Sequence, residues 1–339
     1  MPCTIMRTLG DNFRPRNGAK GIFARKLRES ARRMQTSNSI ENLNISKPVV
    51  TIGSFDGVHR GHREVLRQLT DYARQTGGSS VVITFWPHPA AVLGGKQTGL
   101  LSTPDEKLQL MTETGIDWLI TLPFTREFAQ MEYDVFVTEC LVKKLQISTL
   151  LIGYDNKVGR NGRGRFAEVE ALAEKLGFEV RQLEVLAADT QPISSTAIRN
   201  LLSEGRVIEA NQLLGRPYGL SGKVVSGNHI GTKLGFPTAN IQPNECKFVP
   251  GNGSYAIRAN IDGTEYAGML NIGNRPTIAD AGQPTIEAHL FNFSGDIYGR
   301  TIEVFFVDKI RDERQFANLD ELRAQLETDC QTVKGWFGI

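Results

Sequence analysis

From residue 48 onward, short apolar runs alternate with longer segments whose apolar positions recur every three or four residues. Pro48 to Phe55 (PVVTIGSF) is an apolar, β-branched run of strand length. Behind it, Val65, Leu66, Leu69, Tyr72 and Ala73 predict a helix over 63–76, stopped by Gly77-Gly78. The alternation continues with predicted strands at 80–86, 118–122, 149–153 and 178–185, and predicted helices at 104–113, 135–145 and 166–176. Strands separated by helices of this length imply parallel βαβ units with helices on both faces of the sheet. Residues 46–214 are therefore expected to form a doubly wound, Rossmann-like α/β domain, closed by two short helices at 195–203 and 207–214.

The texture changes after Gly215-Arg216-Pro217. Gly, Pro and Asn become dense, and short alternating runs at 255–261, 266–272, 286–291 and 301–307 are separated by turn residues. This pattern predicts a small antiparallel β-barrel or sandwich over 215–339, with a C-terminal helix at 319–336 packed against it.

A chain of 339 residues exceeds what one hydrophobic core usually organises, which agrees with two domains. The net charge of +2 gives no electrostatic case for a nucleic-acid partner. It hides an asymmetry: residues 1–45 carry nine Lys/Arg and three acids, a local +6 that leaves −4 for the rest. This segment is expected to be a basic, disordered tail, with a transit peptide as the alternative. Cys3, Cys140, Cys246 and Cys330 form no CxxC pair and read as reduced structural thiols of a cytoplasmic protein. No run approaches the roughly 18 apolar residues that span a bilayer, so no membrane association is expected. Oligomeric state is not legible.

The most specific motif is Gly53-Ser54-Phe55-Asp56-Gly57-Val58-His59-Arg60-Gly61-His62. It leaves a predicted strand and opens a predicted helix, the crevice in which open α/β sheets bind ligands. Glycines allow close backbone approach, and the free N–H groups of a helix start suit a phosphate. His59 and His62, three residues apart, both face one pocket and can donate hydrogen bonds to phosphate oxygens as charge builds during displacement. A second segment, Ile193-Ser194-Ser195-Thr196-Ala197-Ile198-Arg199, combines hydroxyls, a helix start and an arginine one turn later. It reads either as an anion cradle or, for Ser194 and Ser195, as a plain N-cap. His88, between Pro87 and Pro89, ends a strand at the same face and is explained almost as well by a structural loop.

In the second half, Gly231-Thr232-Lys233-Leu234-Gly235-Phe236-Pro237-Thr238-Ala239-Asn240 joins a glycine-rich loop to a Thr-x-Asn pair. It is not a Walker A sequence, and no helix is expected to follow it. Backbone amides of Gly231, Lys233 and Gly235 can wrap phosphates, while Thr238 and Asn240 supply neutral oxygen ligands for Mg²⁺. A β-hairpin turn would use the same residue types. By strand alternation Glu287, His289 and Phe291 share one face.

These motifs resemble the bacterial bifunctional riboflavin kinase/FAD synthetase family, whose first half is an HxGH-type nucleotidylyltransferase and whose second half is a small barrel kinase. The resemblance covers about residues 46–335 and implies two Mg²⁺-dependent reactions, with ATP, riboflavin and FMN as substrates. It implies that His59 and His62 contact the ATP phosphates within a site that includes Gly53, Phe55, Asp56 and Gly57, Asp56 helping to bind nucleotide or metal. Ser194, Ser195, Thr196 and Arg199 would hold the outgoing pyrophosphate. Phe124, Phe128 and Asp155 would face the flavin, with a core lining as the other reading of the two phenylalanines. In the kinase half, Glu287 would be the general base, and the runs Asn271–Thr277 and Asp296–Gly299 fit the same family. Three positions depart from the pattern. The family's aromatics after residue 152 give way to Asn156 and Val158 in Gly153-Tyr154-Asp155-Asn156-Lys157-Val158-Gly159, and Asn292 stands where relatives often carry an acid. The alternatives are a kinase with a weak or altered nucleotidyltransferase half, and a flavin-binding regulatory protein.

Overall fold

The computed structural model describes residues 34–94, 99–153, 159, 164, 166–183, 193–227, 230–274 and 284–339. The first part is a six-stranded sheet in the order β1-β4-β3-β2-β5-β6, and every pairing in it is parallel. Its strands are β1 (Gln35–Ser37), β2 (Pro48–Ile52), β3 (Ser79–Trp86), β4 (Trp118–Pro123), β5 (Thr149–Ile152) and β6 (Glu179–Gln182). Helices α1 (Arg60–Thr76), α2 (Pro104–Thr112) and α4 (Phe166–Leu176) connect them, together with α3 (Tyr133–Val135), which runs on as a π-helical stretch over Phe136–Lys144.

Both faces of this sheet are covered, and successive residues of one strand serve opposite cores. Val50 packs with Val81, Ile83, Leu150, Phe136 and Val169 on one face, while Val49 packs with Val82, Leu66, Leu69 and Met111 on the other. The near-continuous apolar runs follow from that double burial. α1 is closed by Gly77 in the left-handed conformation, and α2 opens on a capping box between Thr103 and Glu106.

The α/β unit starts earlier than expected. Residues 34–45 are not tail: β1 adds to the sheet edge beside β4, Ile40 is buried, and Leu43 and Ile45 pack on the core. A polar three-residue edge strand carries no alternation signal, which is why the sequence hides it.

The second part is a closed antiparallel barrel ordered β10-β11-β8-β7-β12-β9. Its strands are β7 (Tyr218–Val225), β8 (Ala239–Pro243), β9 (Gly253–Ile261), β10 (Thr264–Asn274), β11 (Pro284–Leu290) and β12 (Thr301–Arg311). The glycine-rich run opens on one helical turn, Ile230–Lys233, and is followed by strand β8, with no helix after it as expected. Leu220, Ile257, Leu270, Ile272, Ile286, Ala288 and Phe306 fill the barrel. Helices α5 (Ser195–Ser203) and α6 (Val207–Leu214) share that interior through Ile198, Leu202, Val207, Ala210 and Leu214. The C-terminal helix α7 (Leu319–Phe337) covers the outside of the barrel, where Val333 meets Ala256, Met269 and Phe291.

Candidate active sites

The first site lies where β2 hands over to α1. The chain runs from β2 to β3 and β4 on one side and returns to β5 and β6 on the other, so the β2–α1 loop sits at the topological switch point. The loop holds an unusual backbone: Phe55, Gly57 and Val58 all adopt positive φ, at +47°, +80° and +39°. Such a path is costly for Phe and Val and persists only when its surroundings enforce it. A polar mesh does so. Lys107 Nζ donates to Ser54 O at 2.8 Å, Gly57 N donates to Ser102 Oγ at 2.9 Å, and Ser195 Oγ donates to Asp56 O at 2.9 Å. From the barrel side, Arg216 donates to Gly57 O at 2.7 Å and to Val58 O at 3.4 Å.

His59 is the N-cap of α1, its Nδ1 accepting from His62 N at 3.3 Å. That acceptor role leaves the proton of the neutral ring on Nε2. The two imidazoles stack with centroids 3.6 Å apart, and the Phe55 ring meets His62 edge-on at 5.1 Å. His59 is buried and His62 half-buried, yet His62 Nδ1 is enclosed with no hydrogen-bond partner among the described residues. Burial pushes the His59 pKa down to about 4, against the pull of Asp56 and with the help of Arg216. Burial, then His59 and Lys107, holds His62 well below the usual imidazole range. Both rings are therefore neutral near pH 7.

Two expected ligand groups are committed elsewhere. Asp56 and Arg199 form a buried ion pair, and Asp56 also accepts from Leu101 N and Ser102 N, each at 3.1 Å. Arg199 gives its Nε to Gly99 O at 2.9 Å. The Asp56 carboxylate and the Arg199 guanidinium are thus partnered with each other and with backbone groups of the 99–102 segment. Ser194 is the N-cap of α5, accepting from Ala197 N at 3.1 Å, as its residue type alone suggests. Thr196 is exposed beside it. Phe55 and Gly57 are buried and shape the loop, whereas Gly53 is partly open. His88 caps the short helix Pro89–Val92, as a structural loop residue would.

At the C-terminal ends of β3 and β4, Phe124 and Phe128 are half-buried and meet edge-on at 5.7 Å. Phe85 joins them at 5.5 and 5.6 Å, and Phe136 closes the cluster behind Phe128 at 5.7 Å. Phe85 was missed because its run, Thr84-Phe85-Trp86, reads as ordinary strand. Asp155 lies outside the described residues.

The second site is on the outer wall of the barrel. In the ladder Glu287 of β11 stands opposite Asn240 of β8 and Asn271 of β10. Asn271 in turn accepts from Ser254 Oγ at 3.3 Å, giving a polar row across four strands. Thr238 Oγ1 lies 3.5 Å from Glu287 Oε2, at the outer edge of a hydrogen bond. Ile286, Ala288 and Leu290 point into the barrel core, which leaves Glu287, His289 and Phe291 on the outer face as alternation predicts. His289 Nδ1 contacts Pro237 O at 2.8 Å and ties β11 to the glycine-rich loop. That loop folds back tightly: Gly231 O accepts from Leu234 N at 3.1 Å and Phe236 N at 2.8 Å. A Cβ at Gly231 would meet Phe236 O at 2.3 Å, so only glycine fits. Gly235 turns at φ +86°, and Lys233 is exposed at the end of the helical turn. Thr238 and Asn240 present a hydroxyl and an amide beside a carboxylate, an oxygen donor set that fits Mg²⁺. Among the described residues no cluster of three or more His, Cys, Asp or Glu offers another metal site.

Comparison with known proteins follows this division. Residues 42–197 match the FAD synthetase family model, and residues 214–337 match that of riboflavin kinase. A bifunctional riboflavin kinase/FMN adenylyltransferase of Haemophilus influenzae is 38% identical over 308 residues, covering 90% of this chain and 99% of its own. The protein of the same description from Escherichia coli K12 is 37% identical, covering 86% of this chain and 93% of its own. A crystal structure described as a macrolide-efflux protein from Streptococcus pneumoniae superposes with a TM-score of 0.80 at 28% identity, over 89% of this chain and 99% of that one. No helix among the described residues is long and apolar enough to cross a membrane. With both halves matched in order and both relatives aligned over nearly their whole length, the chain belongs to the bifunctional riboflavin kinase/FMN adenylyltransferase family, an enzyme carrying FAD synthetase and riboflavin kinase domains in one polypeptide.

Proposed function

We propose that Glu287 accepts the proton of the riboflavin 5′-hydroxyl as that oxygen attacks the γ-phosphorus of ATP, giving FMN and ADP. The observation that carries this is the row Asn271–Glu287–Asn240 with Thr238 beside it, one carboxylate among neutral oxygen groups on an open wall of the barrel. Mg²⁺, held by Thr238 and Asn240, would supply charge neutralisation for the phosphate oxygens. The N–H groups of Leu234, Gly235 and Phe236 are spent within the loop and hold its shape, and Lys233 offers an exposed cation to the triphosphate.

In the α/β half, a phosphate oxygen of FMN attacks the α-phosphorus of ATP, and the bond to the leaving pyrophosphate breaks. His59 and His62, neutral through burial, act as hydrogen-bond donors to the phosphate oxygens rather than as fixed cations. The start of α5, with Thr196 exposed, receives the pyrophosphate through backbone N–H groups, since Arg199 is engaged. Phe85, Phe124 and Phe128 offer an aromatic wall to the isoalloxazine ring. We place the enzyme in the cytoplasm, in keeping with Cys140, Cys246 and Cys330, which form no disulfide.

The test is a chromatographic separation of flavins after incubation with riboflavin, ATP and Mg²⁺. Wild-type protein is expected to accumulate FAD, E287Q none of either product, and H62A only FMN. FMN formation by E287Q at the wild-type rate would remove the assignment of the base.

A further inference from the structure

We propose that Arg216, a residue of the kinase half, is a positioning residue for adenylyl transfer in the other half. Its guanidinium reaches across and holds the backbone of the histidine loop. Residues 214–337 match the riboflavin kinase model, and Arg216 stands two residues before the first barrel strand. Its side chain nevertheless bonds the β2–α1 loop of the other half. One guanidinium arm donates to Gly57 O at 2.7 Å and the other to Val58 O at 3.4 Å. Those carbonyls belong to the two residues immediately before His59, and both residues sit at positive φ. A planar fork spanning consecutive carbonyls fixes their relative orientation, which a single-headed cation cannot do. The peptide so held leads directly into the N-cap of α1 and the stacked pair His59–His62.

A second strut from the barrel braces the same loop from behind. Residues 246–248 of the barrel half lie alongside Gly99–Leu101, where Leu100 N donates to Cys246 O at 2.6 Å and Phe248 N donates to Leu100 O at 2.8 Å. The buried Lys247 donates to Leu101 O at 2.8 Å and pairs with Glu106 at 2.5 Å. Leu101 and Ser102 then bind the Asp56 carboxylate through their N–H groups, and Ser102 Oγ accepts from Gly57 N. The strained loop is thus gripped on both flanks, and on each flank one of the groups comes from the kinase half. Its geometry is a property of the whole chain. Arg216's hydrogen bonds go to Gly57 and Val58, and Thr238 and Glu287 pair with each other, so its effect is expected in the FAD-forming step.

This inference rests on the reading that the His59–His62 loop performs adenylyl transfer, and the experiment separates the two. Full-length R216A, R216K and H62A are assayed for both steps with purified riboflavin or FMN as substrate. For R216A we expect FMN-to-FAD turnover to fall at least tenfold, carried by kcat with KM for FMN within about threefold. Riboflavin-to-FMN turnover should stay within twofold and report an intact fold. R216K should recover part of the loss, and guanidinium at sub-denaturing concentration should rescue R216A but not H62A. Equal losses in both steps, or no loss in either, overturn the proposal. Should R216A fail to fold, R216K alone decides: a loss confined to FAD formation supports the proposal, and parity between the steps overturns it. If H62A keeps full FAD formation, the site reading fails; if H62A loses it and the Arg216 variants do not, only the positioning role fails.

Discussion

Asp56 and Arg199 lie 143 residues apart in the chain and form an ion pair shut away from solvent, with 1% of the aspartate side chain and 13% of the arginine exposed. The pair joins the loop before α1 to the first turns of α5, the two segments that the motifs alone would place on phosphate. Removing one partner leaves the other charge buried and uncompensated, which typically costs about 3–5 kcal/mol. D56A also orphans the N–H groups of Leu101 and Ser102. We expect D56A to lower the melting temperature sharply and the D56A/R199M double variant to recover part of the loss. Simple additivity of the two single effects would mean that the pair is not coupled.

The division of labour between the halves gives a reciprocal prediction. H62A should depress FMN-to-FAD turnover by on the order of a hundredfold, the usual cost of losing a donor aimed at developing charge. Its riboflavin-to-FMN rate should be unchanged. E287Q should do the reverse, and continuous assays with each flavin supplied separately read both steps in one preparation.

Burial of His59 makes a statement about acid stability. Its pKa falls from 6.5 to about 4 on folding. Between these values the unfolded chain binds more protons than the folded one, so stability rises with pH there. The contribution is complete above the unfolded value and is lost as pH falls through 6.5 toward 4, amounting to about 2 kcal/mol near pH 5. His62, depressed for the same reason, acts in the same direction. Denaturant titrations near pH 7 and pH 5 should show a smaller acid loss for H59N than for wild type. An identical loss in both proteins would contradict the burial.

Glu106 and Lys247 offer a further measurement. Lys247 is nearly sealed, its side chain 2% exposed, while Glu106 keeps 21%. E106Q should therefore strip a buried ammonium of its carboxylate and lower the melting temperature. K247M replaces the ammonium with an apolar group of similar length and should cost less. A larger penalty for K247M than for E106Q would show that Lys247 gains more from Leu101 O than from the carboxylate.

Elements with strong local signals were readable from the chain. The apolar spacing at 166–176, 195–203 and 207–214 marks helices with the bounds observed, since each buries one stripe against a core. β7 was not readable, because Gly219 and Gly222 interrupt Tyr218–Val225 where side chains elsewhere would show alternation. The sites divide the same way. His59 and His62 stand out by residue type and spacing, whereas Thr238, Asn240 and Glu287 stand out only through the family resemblance, and the ladder brings the last two opposite each other. The partners that fix the loops do not. Lys107, Arg216 and Lys247 look like surface charges in sequence, and only long-range folding turns the two lysines into buried donors, and Arg216 into a half-buried one, to backbone carbonyls. The pairing of Asp56 with Arg199 is hidden for the same reason: nothing local says that two attractive ligand groups will neutralise one another.

The packing of α5 and α6 decides where this polypeptide can be divided. Val207, Ala210 and Leu214 are fully enclosed against barrel residues. A cut at the Gly215-Arg216-Pro217 turn, natural by composition, would strip those side chains of their cover and open the barrel wall they seal. A free-standing kinase would have to keep both helices, beginning near Ile193, and the remaining α/β piece would then surrender Ser195 and Arg199, the partners of its own Asp56.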